Sequence, residues 1–218
     1  MELQHRSYST DLIRPKPKTA FEKTSQTWMI VTAWNDPQVA DQVIGLIQDQ
    51  LSTLQEADAT VLRNSSNGLT EESNKLLAAA QMAQQRIYNQ FNSKEFSVAV
   101  ELALVTRNRN RLSWVQVGAP SLLLVTEKGL QPLCHAPDWS SQLSQDAPLV
   151  GSAMGLHRDT QFNCGSCQIQ SHEKLLLIAK SYIPPSLYQM IKIQLETVAQ
   201  ALAEENSRQP FWLGMIEF

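Results

Sequence analysis

The sequence Leu112-Ser-Trp-Val-Gln-Val-Gly118 is followed by Leu122-Leu-Leu-Val125 and then by Lys128-Gly-Leu-Gln-Pro-Leu133. These segments have the length and apolar character of strands, and residues of turn-forming types separate them. A longer segment of the same kind, residues 96–106, precedes them. Together they predict an antiparallel meander of strands joined by turns.

Helices are predicted on both sides of this meander. Asp36 and Pro37 fit the N-cap and the first position of a helix that ends near Gln55. A second helix runs from Thr70 to about Phe91. The remaining predicted elements are strands over residues 160–170 and 174–180, a long helix over 185–205 and a final strand over 211–218. Helices grouped around antiparallel strands indicate an α+β fold with helices outside two stacked sheets.

The composition fits one globular domain over residues 1–218, in which the Pro-, Lys- and Thr-rich residues 14–26 form a mobile surface loop. A net charge of −3 gives no electrostatic reason to expect nucleic acid or an anionic membrane as partner. The longest apolar runs are far shorter than the roughly 20 residues that span a bilayer. An N-terminus without an apolar signal core and an odd number of cysteines predict a cytoplasmic protein.

The order and spacing of these segments resemble the protein phosphatase 2C family of metal-dependent serine/threonine phosphatases. Residues 112–118 are similar to the family's strand that leads into Gly-Asp-Ser-Arg, and residues 128–133 to its Gly-x-x-x-x-Leu hairpin. Residues 174–182 resemble its apolar strand ending in Ser-Asp-Gly, and Gly155 falls at its Leu-Gly. The resemblance runs over nearly the whole chain and implies a four-layer α-β-β-α sandwich of two antiparallel sheets flanked by helices.

In active members of that family, aspartates and a glutamate hold two metal ions, which activate a water that attacks the phosphorylated side chain. Hard divalent cations need oxygen ligands with negative charge. Arg6 and Asp11 keep the spacing of the family's first motif, whereas Thr10 stands where the glutamate would be. Trp34 and Asn35 replace the Asp-Gly after the second strand, which removes the central bridging carboxylate.

Two further ligand positions are changed near the end of the chain. Lys180-Ser181-Tyr182 corresponds to Ser-Asp-Gly, and Gln209-Pro210 corresponds to the Asp-Asn before the last strand. One aspartate does not offset the dehydration of two divalent ions, and Lys180 would compete for its charge. The resemblance therefore implies no bound metal, no other cofactor and no catalytic residue. On this basis the chain is predicted not to be an enzyme.

The first functional hypothesis is a pseudophosphatase, a regulatory or protein-binding module whose partner is a phosphoprotein or a kinase. Arg6 is its candidate anion-binding residue, because a guanidinium matches phosphate in a bidentate manner. Arg6 also fits a structural ion pair with Asp11.

Two alternatives remain open. One is a divalent-metal-dependent serine/threonine phosphatase with a non-standard metal site, which uses Asp11 and Asp36 with backbone or amide ligands. Asp36 is also explained as the cap of the first helix. The other is a zinc or redox regulator built on Cys164 and Cys167, with Cys134-His135 completing a zinc site.

Overall fold

The computed structural model describes residues 2–56, 68–136, 138–143 and 147–218. The chain divides into two compact units. The first unit comprises Met1–Lys16, Gly118–Ser152 and Gln170–Phe218, and the second comprises Pro17–Val117 and Ala153–Ile169. The assignment of residues 1–218 to a single domain stays a prediction.

Ten strands and four α-helices are found in the described residues. The strands are β1 (Glu2–Tyr8), β2 (Lys18–Glu22), β3 (Thr27–Trp34), β4 (Ala99–Asn108), β5 (Arg111–Val117), β6 (Ser121–Thr126), β7 (Gly129–Cys134), β8 (Asn163–Gln168), β9 (Lys174–Ala179) and β10 (Phe211–Glu217). The helices are α1 (Gln38–Glu56), α2 (Glu71–Ile87), α3 (Trp139–Gln142) and α4 (Leu195–Glu205). A π-helical turn (Tyr88–Asn92) follows α2, and a 3-10 helix (Pro185–Gln189) precedes α4.

The first unit contains a five-stranded antiparallel sheet in the order β1-β10-β9-β6-β7. Helix α4 contacts β1 and β10. Its apolar residues Val198 and Leu202 belong to one buried cluster with Ile178 of β9 and Leu213 of β10. Apolar positions three or four apart on a helix lie on one face, and this face of α4 is the one that is removed from water.

The second unit contains the other five-stranded antiparallel sheet, in the order β2-β3-β4-β5-β8. Helix α1 contacts β3, and α2 contacts β5. Val43 and Ile47 of α1 and Leu76 of α2 are fully or almost fully buried in one cluster with Val31 and Leu104 of the sheet. Thr70 caps α2, because its side chain accepts a hydrogen bond from the Ser73 amide.

Each unit thus supplies one antiparallel sheet and the helices that cover it. The predicted α+β class and its α-β-β-α composition are therefore confirmed. The predicted strand segment Leu122-Leu-Leu-Val125 lies within β6.

Three local predictions are wrong. The meander is divided, because β4 and β5 pair in one sheet whereas β6 and β7 pair in the other, and the chain leaves β5 through Gly118 at a φ of 67°. The long helix over 185–205 is two helices, since Gln194 and Thr197 form a capping box that starts α4 anew. Residues 14–26 are not a mobile loop, because β2 lies within them and pairs with β3.

Gly155 lies in a tight backbone junction of the second unit. Its φ is +87°, and its amide donates to Gln84 Oε1 at 2.8 Å. The Asn92 side-chain amide donates to the carbonyls of Gly155 at 2.8 Å and Val98 at 2.6 Å. A Cβ at position 155 would meet Asn92 Nδ2 at 2.7 Å and the Val98 carbonyl oxygen at 2.9 Å. Both the conformation and the space at this position therefore require glycine.

We expect Gly155→Ala to lower the free energy of unfolding by about 2 kcal/mol or more, because it combines left-handed backbone strain with a steric conflict. Urea denaturation followed by circular dichroism measures this change. Gly45→Ala is the matched control, because no atom lies within 4 Å of the added Cβ in α1. It should leave stability unchanged or raise it by about 0.5–1 kcal/mol. Equal stability of the two variants would contradict the account of this junction.

Candidate functional site

The segment after β1 holds Thr10 and Asp11, two residues of the predicted first motif. Thr10 Oγ1 donates to the Arg208 carbonyl at 2.8 Å and accepts from the Leu12 amide at 3.0 Å. Thr10 therefore links the end of β1 to the segment before β10, where Gln209 is buried with 7% of its surface exposed. Asp11 is exposed.

Arg6 lies on β1 and is engaged at the surface. Its Nη2 atom lies 2.8 Å from Oε1 of Glu196 on α4, and the two side chains are 58% and 66% exposed. The sequence also suggested an ion pair between Arg6 and Asp11, but in the structure Arg6 pairs with Glu196. Anion binding by Arg6 stays a prediction, and a phosphate there would compete with the Glu196 carboxylate.

Ser181 lies two residues after the end of β9. It belongs to a buried polar network that the sequence did not reveal. Its Oγ donates to Oδ2 of Asp138 at 2.9 Å. The same oxygen accepts from Nη1 of Arg14 at 3.1 Å, and the side chains of Arg14 and Asp138 are only 4% and 6% exposed. We call Arg14, Asp138 and Ser181 the buried network.

The other oxygen of Asp138 holds the backbone around it. Oδ1 accepts from the amides of Ser140 at 2.8 Å and Leu149 at 3.1 Å. Asp138 is the N-cap residue of α3. One carboxylate therefore joins the segment after β1, the segment after β9 and the start of α3. Such a buried carboxylate is stable because a guanidinium and several donors satisfy it.

The second unit has its own buried carboxylate. Trp34 at the end of β3 donates through Nε1 to Oε2 of Glu101 at 3.1 Å, and Glu101 on β4 is 3% exposed. The Trp34 indole is thus a hydrogen-bond donor to a buried acid. Glu101 was not among the residues predicted for the site, because an isolated glutamate within an apolar strand gives no signal of its partner.

Asn35 and Asp36 follow Trp34 and shape the turn into α1. Asn35 has a φ of 73°, a left-handed conformation that asparagine tolerates better than most residues other than glycine. Its side-chain amide donates to the Ser97 carbonyl at 3.0 Å. Asp36 Oδ1 accepts from the Gln38 amide at 2.9 Å. Asp36 therefore caps α1, as its position before Pro37 predicted.

The two cysteines of β8 are not arranged as a joint site. Cys164 pairs opposite Val115 and Cys167 opposite Leu112, three residues apart on one strand. Side chains alternate between the faces of a strand, so the two thiols point to opposite faces. Burial raises the pKa of the Cys164 thiol, which reduces the reactive thiolate. Cys134 lies on β7, and none of the three cysteines, all of them in described residues, forms a disulfide.

Comparison with known proteins gives a result only at the level of structure. No family model matches the sequence, and no curated protein matches it. PppA, described as a key regulatory component of the T6SS in Pseudomonas aeruginosa, is 14% identical, with a TM-score of 0.67 and coverage of 100% of this chain and 97% of that one.

Two phosphatase structures are similar to the same extent. The PPM Ser-Thr phosphatase MsPP from Mycobacterium smegmatis, in complex with cacodylate, is 9% identical, with a TM-score of 0.68 and coverage of 100% and 98%. The catalytic domain of the serine/threonine phosphatase PstP, in complex with two manganese ions, is 14% identical, with a TM-score of 0.61 and coverage of 98% and 96%.

This chain has the PPM phosphatase fold. The resemblance to the protein phosphatase 2C family is thereby confirmed at the level of the fold.

The prediction that the chain is not an enzyme is wrong. It is overturned by the finding that proteins of the same fold, matched over almost their whole length, are serine/threonine phosphatases. The prediction inferred too much from the missing carboxylates. The missing carboxylates concern one set of metal ligands. Their absence does not exclude every other way in which a PPM fold could act on phosphate.

The residues present do not fit the paired manganese ions of the PPM fold. Three carboxylates are buried among the described residues, and each is already held by a donor: Asp138 by Arg14, Glu101 by Trp34 and Glu173 by the Gln170 amide. Throughout the part of the chain that the structure describes, no group of three or more His, Cys, Asp or Glu side chains is placed to hold a metal ion. The buried carboxylates of the described residues therefore support no reaction step through a pair of metal ions.

Among residues 2–56, 68–136, 138–143 and 147–218, no helix combines the length and the apolar character needed to cross a bilayer.

We expect Arg14→Met to destabilise the protein by about 3 kcal/mol, because it leaves a buried carboxylate without its cation. Ser181→Ala removes one donor to the same oxygen and should cost about 1–2 kcal/mol. Chemical denaturation monitored by tryptophan fluorescence measures both changes. Arg6→Met is the control, since it removes an exposed ion pair whose loss should cost less than about 1 kcal/mol. An Arg14→Met variant as stable as Arg6→Met would show that the buried network does not stabilise the fold.

Proposed function

We propose that this chain is a regulatory protein of the PPM fold that binds a partner protein carrying phosphorylated serine or threonine. The observation that carries the proposal is a set of large apolar side chains exposed next to the buried network. They are Ile13, Trp139 and Tyr182, with 82%, 50% and 46% of their surface exposed. We call these three residues the apolar patch.

Each residue of the apolar patch is the chain neighbour of one member of the buried network. Ile13 precedes Arg14, Trp139 follows Asp138 and Tyr182 follows Ser181. Consecutive Cα atoms are about 3.8 Å apart, so hydrogen bonds among the network residues also bring the patch residues into one region. Single exposed apolar residues are common, whereas a group of large ones in one region is typical of protein-binding surfaces.

The buried network also restrains this surface before any partner binds. Asp138 fixes the start of α3 through two backbone amides, and the Trp139 indole donates to the Gly151 carbonyl at 3.2 Å. Aromatic side chains are frequent among the residues that contribute most to protein interfaces. A surface held in its binding conformation loses less entropy on association.

The similar structures support the choice of partner class. PppA is described as a regulatory component, and MsPP and PstP are described as phosphatases for serine and threonine.

The proposal predicts that the triple variant Ile13→Ser, Trp139→Ser, Tyr182→Ser loses its partner while it keeps its fold. The measurement is affinity purification from the source cells with quantitative mass spectrometry, with a parallel sample treated with a broad-specificity phosphatase. Partners captured by the wild type should fall at least about tenfold with the variant, because interface aromatic residues often contribute more than 1.4 kcal/mol each. The same partners should fall after phosphatase treatment.

The matched control is Met82→Ser, Phe96→Ser, which removes apolar side chains that are 48% and 55% exposed in the second unit. It should capture the same partners as the wild type. If the triple variant captures them equally well, or if the control loses them to the same degree, the apolar patch is not the binding surface.

A second candidate function is a divalent-metal-dependent serine/threonine phosphatase with a non-standard metal site. The PstP structure with two manganese ions favours it, and Asp11, which is exposed in the first unit, is the carboxylate available for such a site. This candidate predicts that manganese binds in calorimetry and increases hydrolysis of para-nitrophenyl phosphate. Asp11→Asn should then reduce both, whereas Asp49→Asn, a change on α1 away from the matched positions, should reduce neither. Failure to detect manganese binding at millimolar concentration would reject it.

A further inference from the structure

The hairpin between β4 and β5 carries an arginine at every second position, Arg107, Arg109 and Arg111. Asn108 pairs opposite Arg111, so only residues 109–110 connect the two strands. Arg109 and Arg111 are exposed. Among the residues that the structure describes, neither of these two guanidinium groups has a carboxylate within ion-pair distance. A chain with a net charge of −3 therefore presents two unpaired positive charges at one turn.

An open cavity of about 550 Å³ lies beside this turn in the second unit. Its described lining residues are all polar or charged: Glu72, Asn108, Arg109, Asn110, Arg111 and Gln168. Ligand pockets commonly have volumes of about 300–1,000 Å³, so this cavity is large enough for a small molecule. Most such pockets are lined by hydrophobic and aromatic side chains. A wall made of polar groups therefore indicates a polar ligand.

The two exposed arginines determine the charge of that ligand. A guanidinium presents parallel N–H groups, which match the oxygens of a phosphate or a carboxylate in a bidentate manner. A phosphate monoester carries a charge of about −1.5 to −2 at pH 7 and so complements both Arg109 and Arg111, whereas a carboxylate carries one charge. The wall contains one acid, Glu72, whose Oε1 accepts from the side-chain amide of Asn108. The charges of the wall favour a phosphate.

The other groups of the wall suit the hydroxyl groups of a ligand. A carboxylate accepts several hydrogen bonds, so Glu72 can accept one from a ligand in addition to the one from Asn108. The exposed side-chain amides of Asn110 and Gln168 both donate and accept. None of the described lining residues is aromatic, whereas proteins that bind single-stranded nucleic acid stack the bases on aromatic side chains. The wall therefore favours a polyhydroxylated phosphate ester over a nucleic acid.

Arg109 adopts a backbone conformation that is unusual for arginine. Its φ is 54°, in the left-handed region that glycine and asparagine occupy more readily. Two-residue hairpin loops commonly place glycine or asparagine at such a position for this reason. Because arginine here costs stability, its presence is better explained by a contact with a ligand than by the folding of the hairpin.

Hydrogen bonds hold this turn in place without engaging either exposed guanidinium. Arg107 Nε donates to the Arg109 carbonyl at 2.7 Å, and the Ile169 amide donates to the Asn110 carbonyl at 2.8 Å. The carbonyl groups of both turn residues are thus fixed. A site that is formed before its ligand arrives loses less entropy on binding.

We infer that the β4–β5 hairpin binds a small phosphate ester that carries hydroxyl groups, such as a sugar phosphate. Arg109 and Arg111 donate to the phosphate oxygens. Glu72 and Gln168 form hydrogen bonds with the hydroxyl groups. The cavity belongs to the second unit, whereas the apolar patch belongs to the first, and the inference does not rest on the proposed function.

The test is isothermal titration calorimetry of the full chain with glucose 6-phosphate, at low ionic strength and without divalent cations. Arg109→Gly and Arg111→Gln should each weaken binding about fivefold or more, because each variant loses a charged donor to the phosphate. Arg109→Gly should also raise the melting temperature by about 2 °C, since glycine accepts the left-handed conformation. A purely structural role of Arg109 would lower affinity and stability together.

Arg86→Gln is the matched control. It removes an exposed arginine near the opposite end of α2 from Glu72, about 20 Å away at about 1.5 Å of rise per residue. Its affinity for glucose 6-phosphate should stay within about twofold of the wild type. Glu72→Ala should weaken binding of glucose 6-phosphate but not of inorganic phosphate, because inorganic phosphate has no sugar hydroxyl to donate to the carboxylate.

Several results would overturn the inference. They are no binding of glucose 6-phosphate at millimolar concentration, equal losses in Arg86→Gln and Arg109→Gly, and binding of inorganic phosphate as tight as that of glucose 6-phosphate. Tighter binding of a phosphoserine peptide or a single-stranded RNA, lost with Arg109→Gly, would also overturn it. If glucose 6-phosphate does not bind but the apolar-patch variant still loses its cellular partner, the hairpin site fails and the proposed function stands.

Discussion

The buried ion pair between Arg14 and Asp138 is the constraint on which the candidate site depends. A carboxylate that is 6% exposed is stable only when its charge is compensated. In this chain the Arg14 guanidinium compensates Asp138, and the Trp34 indole donates to the buried Glu101. Groups of the protein itself therefore hold these two carboxylates.

The fold could be predicted from the sequence to a large extent because its signals are local. Apolar runs predicted β5, β6, β7 and β9, and Asp36 and Thr70 marked the starts of two helices. The errors fall where distant pairing decides the outcome. Strand β2 forms because β3 provides its partner, and the assignment of β5 and β6 to different sheets depends on pairing with β8 and β9.

The site could be predicted only in part. Matching to family motifs pointed to Thr10, Trp34, Ser181 and Gln209 as replaced ligand positions, which stays a prediction. The contacts among Arg14, Asp138 and Ser181 were missed. More than 40 residues separate Arg14 from Asp138 and Asp138 from Ser181, and no local pattern links them. The inference from missing ligands to a missing enzyme failed for a related reason, because the motifs describe one metal set and not all the chemistry of the fold.

The most direct measurement is a crystal structure of the protein grown with both manganese and a phosphoserine peptide. The account predicts that the peptide lies against the apolar patch, with Arg14 still paired to Asp138. A phosphate bound instead through manganese ions at Asp11, with the apolar patch free of peptide, would contradict it.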